Sequence, residues 1–139
     1  MNRNKSIQIV DLFAGPGGLS EGFSAFTPDG IVNPFEILVS AEMDPAARKT
    51  LRLRAFRREV LKIGKLPRSY FNYLAGKADK PWDTSTEKLW EKAGEEARVL
   101  ELGKKECNNE IDQIISKGLN SDNPWVLIGG PPCQAYSVI

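Results

Sequence analysis

Apolar and polar positions along this chain switch repeatedly between two periods. Residues 7–12, IQIVDL, set Ile7, Ile9, Val10 and Leu12 in a nearly continuous apolar run. That pattern suits a strand covered on both faces. Leu19, Gly22, Phe23 and Phe26 then fall at i, i+3, i+4 and i+7, a helical stripe that Thr27-Pro28-Asp29-Gly30 closes. Residues 35–41, FEILVSA, predict a second strand, with Glu42 just past its carboxyl end. Asp44-Pro45 opens the next helix with Asp as N-cap and Pro at N1, and Ala47, Leu51 and Ala55 line one of its faces. Thr84 to Arg98 reads as a solvated, charge-alternating helix, and Val99–Leu102 as a short third strand. Asn108 or Asn109 is set to cap a helix that carries Ile111, Ile114, Ile115 and Leu119. Trp125 to Ile128 forms the clearest strand after the first.

The order is β-α-β-α-(insert)-β-α-β, with the insertion over about 59–98. Such alternation predicts an α/β fold with a parallel sheet and right-handed crossovers. Ligands bind beyond the carboxyl ends of the strands in sheets of this kind. The three polar or glycine-rich features, at 13–18, at 42 and at 129–134, all fall at such ends.

Composition narrows the chemistry. The chain has 139 residues, 41% hydrophobic and 27% charged, which is ordinary for one globular domain. No stretch approaches the roughly 20 apolar residues of a membrane span, and the N-terminus lacks an apolar signal core, so the expectation is a cytosolic protein without a membrane partner. Histidine is absent, which removes the Ser-His-Asp triad and the common zinc sites; no metal is expected. The two cysteines, Cys107 and Cys133, make no disulfide framework. A net charge of +1 leaves any case for nucleic acid to local charge, and residues 48–68 carry nine Lys/Arg against one acid. That segment suits phosphates or a solvated helix face about equally.

Each candidate site has a functional and a plain reading. Gly15-Pro16-Gly17-Gly18 suits close approach of backbone to a ligand, and equally a tight strand-to-helix turn; G-x-G-G is not the dinucleotide G-x-G-x-x-G. Glu42 follows Gly18 by 24 residues, near the spacing at which an acid accepts from ribose hydroxyls, and it also suits a carboxylate at a helix start. Cys133 follows two prolines after a strand, the setting of a rigidly held nucleophile. Cys107 reads as an incidental thiol.

Together these segments resemble the cytosine-5 DNA methyltransferases. Asp11-Leu12-Phe13-Ala14-Gly15-Pro16-Gly17-Gly18 with Gly22-Phe23 is similar to the family's motif I, Glu42-Met43-Asp44 to motif II, and Gly129-Gly130-Pro131-Pro132-Cys133-Gln134-Ala135-Tyr136-Ser137 to the catalytic motif IV. The resemblance covers roughly 1–58 and 99–139. It implies a Rossmann-like methyltransferase fold with S-adenosylmethionine as cofactor and a truncated parallel sheet. Phe13 would stack on the adenine, Ala14 to Gly18 would lie along the methionine part, Glu42 would hold the ribose hydroxyls, and Met43 would pack on the adenine. Glu101, with Asp112 as rival, would meet the adenine amino group, Pro131 would close the pocket, and Cys133 would attack the base.

The substrate implied is duplex DNA with a flipped cytosine, in a bacterial restriction-modification setting in the cytoplasm or nucleoid. An RNA methyltransferase with the same cysteine chemistry, or a non-catalytic cofactor-binding fragment, fits the same motifs. The family's ring-protonating acid, its later motifs and its target-recognition domain are not found in 1–139. The expectation is therefore the N-terminal part of a catalytic domain, inactive alone and completed by further chain or by a C-terminal complementary polypeptide. A truncated sheet would leave a central strand as an exposed edge.

Overall fold

The computed structural model describes residues 6–27 and 32–133. Four parallel strands form the sheet: β1 (Ile7–Leu12), β2 (Phe35–Glu42), β3 (Ala97–Val99) and β4 (Trp125–Gly129), in the order β3-β2-β1-β4. The helices are α1 (Gly18–Ser24), α2 (Pro45–Ile63), α3 (Arg68–Leu74), α4 (Glu87–Glu96) and α5 (Lys105–Gly118). The predicted α/β alternation and parallel pairing are thus observed.

Asp44 caps α2 as its sequence predicts, accepting from the N–H groups of Ala46 and Ala47 at 3.0 and 3.3 Å. Val10, Val39, Ala41, Leu100 and Ile111 pack into one core between the sheet and α5. The insertion does not float on the surface. Its Tyr70 and Ala93 join Ala55, Phe56 and Val60 of α2 in a second core, flanked by stacked Trp82 and Trp90.

Three boundaries differ from expectation. The third strand is Ala97–Val99, not Val99–Leu102. Ala97 is small enough to sit fully buried beside Ser40, while Leu100 and Leu102 turn down into the core under α5 instead of continuing the ladder. The charged helix begins at Glu87, because Asp83 gathers the N–H and hydroxyl groups of Ser85 and Thr86 into a turn ahead of it. Helix α5 begins at Lys105; Asn108 serves its start from inside the first turn, accepting from Gly103 N–H at 2.9 Å.

β4 pairs with β1 on one side and forms the sheet's edge on the other, as the truncated motif set predicts. Trp125 is 47% exposed and Leu127 55%, so this apolar strand is covered on neither face by the described residues.

Candidate functional site

The sheet order sets the sequence-singled residues in a row at the carboxyl ends of the strands. Glu101 follows β3, Glu42 and Met43 end β2, residues 13–18 leave β1, and Pro131 and Cys133 follow β4.

The turn after β1 is held in an unusual backbone. Phe13 has φ 55°, Gly15 φ 55° and Gly17 φ 89°. Left-handed backbone suits glycine and costs a side-chain-bearing residue roughly 1 kcal/mol or more. Phe13 nevertheless adopts it, and its ring stands 38% exposed at the mouth of the site. Strand β2 anchors the first half of the turn: Ala14 N–H donates to Ala41 O at 3.1 Å and Gly15 N–H to Glu42 Oε2 at 2.7 Å. Helix α2 supports the second half. Leu51 lies so close that a Cβ on Gly17 would approach its Cδ2 to 2.6 Å, and Arg54 donates to Gly17 O at 3.1 Å.

Glu42 has the geometry of its plain reading, a carboxylate at a helix start. Its Oε1 accepts from Asp44 N–H at 2.8 Å, so one carboxylate ties the glycine turn to the start of α2. Each oxygen spends one lone pair on these bonds and keeps acceptor capacity for a ligand hydroxyl. Met43 beside it is 63% exposed.

Glu101 lies in the turn after β3 with its carboxylate 2.6 Å from Lys104 Nζ; Leu100 N–H donates to Glu42 O, which keeps this turn beside the end of β2. Asp112, its rival, is exposed in the middle of α5 and away from any strand end.

After β4, Gly129 pairs with Leu12, and Gly130 runs 3.6 Å (from its ideal Cβ position) from Phe13 O. The segment leading to Pro131, Pro132 and Cys133 therefore starts against the turn of β1. Cys133 is an exposed free thiol. Gln134 to Ser137, the rest of that motif, lie outside the described residues. Cys107 is half-buried against the core under α5, which makes it a packing residue.

Two features escaped sequence reasoning. Asp11 is fully buried beneath the turn, neither of its carboxylate oxygens has a hydrogen-bond partner among the described residues, and the hydroxyl of its register neighbour Ser40 is also unpartnered. Burial raises the Asp11 carboxyl above its usual range. The second feature is the use of the α2 cations. Arg48 donates to Ala97 O at 2.9 Å, Arg52 to Trp90 O while lying over the Trp90 ring, Arg54 to Gly17 O, Arg58 to Glu21 and Glu96, and Lys62 to Glu59. Five of the nine basic residues at 48–68 are thus engaged inside the fold, and the segment is not a free track for phosphates. Their carbonyl and ring partners lie dozens of residues away, beyond any local charge pattern.

A cavity of about 830 Å³ opens elsewhere, between the start of β2 and the ends of α2 and α5. It is lined by ion-paired groups such as Arg58, Glu59 and Lys92 and by none of the residues at the carboxyl ends of the strands. Among the described residues no helix is long and apolar enough to cross a membrane.

The chain is similar to the Type II methyltransferase M.Bpa9945I of Bacillus paralicheniformis, 30% identical over an alignment of 148 residues that takes in 94% of this chain and 32% of the relative. The chain thus spans about a third of that protein's length. At 94% coverage the alignment runs through most of the α3–α4 insertion, which the sequence motifs alone left unplaced. No protein-family model matches the chain, and no solved structure matches it.

Proposed function

We propose that this chain supplies the cofactor turn and the nucleophile of an S-adenosylmethionine-dependent DNA methyltransferase acting on carbon 5 of cytosine. The observation that carries the reading is Gly18. Its φ is not positive, and a Cβ on it would meet nothing within 4 Å. Neither a positive φ nor close packing explains glycine at this first position of α1. Close approach of a ligand does explain it. Gly22, one turn on, leaves the same face of α1 bare. The likeness to a type II methyltransferase supports methyl transfer in general. The Gly-Gly-Pro-Pro-Cys-Gln segment supports the cytosine-5 subtype.

In this reading the exposed Phe13 and Met43 flank an adenine, Glu42 accepts from the ribose hydroxyls, Glu101 accepts from the adenine amino group, and Ala14 to Gly18 follow the methionyl chain. Pro131 borders the pocket on the β4 side. When bound, S-adenosylmethionine supplies an electrophilic methyl group on a sulfonium sulfur. The Cys133 thiolate adds to carbon 6 of the flipped cytosine and makes carbon 5 nucleophilic enough to take that methyl. Loss of the carbon 5 proton to a base and departure of the thiolate then restore the aromatic ring. The ring-protonating acid and the contacts that choose the DNA target come from polypeptide beyond this catalytic segment. The uncovered β4 edge supports that completion, either by the same chain or by a complementary one. The working compartment is the bacterial cytoplasm.

Two measurements on the intact protein test this. Titration calorimetry with S-adenosylhomocysteine should show binding, and its absence removes the cofactor reading. Duplex DNA carrying 5-fluorocytosine should be trapped covalently in the presence of cofactor, with peptide mapping to Cys133. An adduct at Cys107 would overturn the nucleophile assignment.

A further inference from the structure

We propose that Arg54 is a positioning residue for the glycine turn and selects for the amino-acid end of the cofactor. The inference rests on the cofactor reading above.

The turn is anchored unevenly. Its first half hangs on β2 through Ala14 and Gly15, as described. Its second half turns on one carbonyl, Gly17 O, which accepts from Glu21 N–H at 3.1 Å, from the Ser20 hydroxyl at 3.3 Å and from Arg54 Nη1 at 3.1 Å. Glu21 and Ser20 belong to α1 itself and would follow the turn wherever it moved. Arg54 is the donor that comes from another element, 37 positions along the chain.

Leu51 and Arg54 lie on one face of α2, three residues apart. A Cβ on Gly17 would stand 2.6 Å from Leu51 Cδ2 and 3.8 Å from Arg54 Cδ, so the two side chains together form the floor of the turn. One helical turn further on, Arg58 holds Glu21 of α1 and Glu96 of α4. Helix α1 and the turn before it are therefore clasped to α2 at two arginines one helical turn apart.

The two arginines differ in charge balance. Arg58 is neutralised by two carboxylates. Arg54 has a carbonyl partner and no ion-pair partner among the described residues. Its positive charge thus stands behind the part of the turn that the cofactor's methionyl chain would follow. A fixed cation there favours a ligand carboxylate, and a charge-assisted bond to Gly17 O holds the backbone that must meet it.

The test compares two probes on the intact protein: S-adenosylhomocysteine, which has the amino-acid end, and 5′-methylthioadenosine, which lacks it. Arg54→Ala should weaken S-adenosylhomocysteine about tenfold, because the binding-competent turn becomes a minor conformer and the cation is gone. It should change 5′-methylthioadenosine less than about twofold, since Phe13, Glu42 and Met43 remain. Arg54→Lys, which keeps the charge and one donor, should recover most of the lost affinity. Equal losses on both probes would make Arg54 a general structural residue and overturn the proposal, as would unchanged affinity for S-adenosylhomocysteine. If R54A does not fold, R54Q carries the same comparison. Wild-type protein that bound neither probe would remove the cofactor reading itself.

Discussion

Gly129 and Gly130 are neighbours in sequence and should respond oppositely to the same added methyl group. A Cβ on Gly129 would stand 2.3 Å from Leu12 O, against 3.4–4 Å for ordinary contact. The obstacle is backbone, so no side-chain rotation relieves it. The carboxyl ends of β1 and β4 must open by about 1 Å, which stretches a ladder hydrogen bond beyond its useful range. One or two such bonds at about 1 kcal/mol each, with the strain of overpacking, put Gly129→Ala at about 2–3 kcal/mol of lost stability. For a domain of this size that lowers the melting temperature by roughly 5–10 °C. A Cβ on Gly130 would stand 3.6 Å from Phe13 O, an ordinary contact, so Gly130→Ala should melt within about 2 °C of wild type. The same opening carries Pro131 to Cys133 away from the turn at 13–18. If Cys133 is the nucleophile, a misplacement of about 1 Å costs on the order of 100-fold in turnover. Thermal unfolding by circular dichroism and methyl transfer by the intact protein measure the two effects. A G129A protein that melts with the wild type, or no lower than G130A, would refute the steric reasoning. A destabilised G129A with full turnover would refute the coupling of β4 to the chemistry.

Other substitutions probe other parts. Burial pushes the Glu96 carboxyl up to about 7 despite Arg58, whose guanidinium is shared with Glu21. A raised carboxyl pKa means the folded state holds its proton longer, so the contribution of Glu96 to stability is fully present below about pH 4.5 and is lost as pH rises through 7, by up to about 3 kcal/mol. Glu96→Gln should flatten that decline in urea midpoints between pH 5 and 8, and parallel wild-type and mutant profiles would contradict it. Glu42→Ala should weaken S-adenosylhomocysteine by about 1–3 kcal/mol in calorimetry and also lower the melting temperature, because Gly15 and Asp44 N–H groups lose their acceptor. Cys133→Ser should keep cofactor affinity and abolish turnover, and residual turnover near wild type would exclude the thiol as nucleophile.

Much of this molecule follows from local pattern. The apolar runs at 7–12 and 35–41 became parallel strands because a sheet covered by helices needs side chains buried on both faces, whereas the run at 125–128 pairs beside β1 with its faces left uncovered by the described residues. Asp44-Pro45 started α2 because its cap and its fixed φ act within three residues. The glycine turn was visible for the same reason, and its location beyond a strand end followed from the alternation of elements. What depends on partners far along the chain was hidden. The third strand moved to Ala97–Val99 because burial of Leu100 and Leu102 under α5 outweighs three more ladder positions on a strand. The basic run at 48–68 suits phosphates or solvent about equally by sequence, yet tertiary packing turned Arg48, Arg52, Arg54 and Arg58 onto carbonyls, a tryptophan ring and carboxylates. Charge pattern records where cations sit on a helix and not which acceptor the neighbouring element brings to them. Phe13 adopts a left-handed backbone, and Glu42 joins a turn to a helix, only because β2 and α2 close around the end of β1. Short-range sequence decided the elements and the site's residue types, while their shared geometry came from contacts that form only when the sheet assembles.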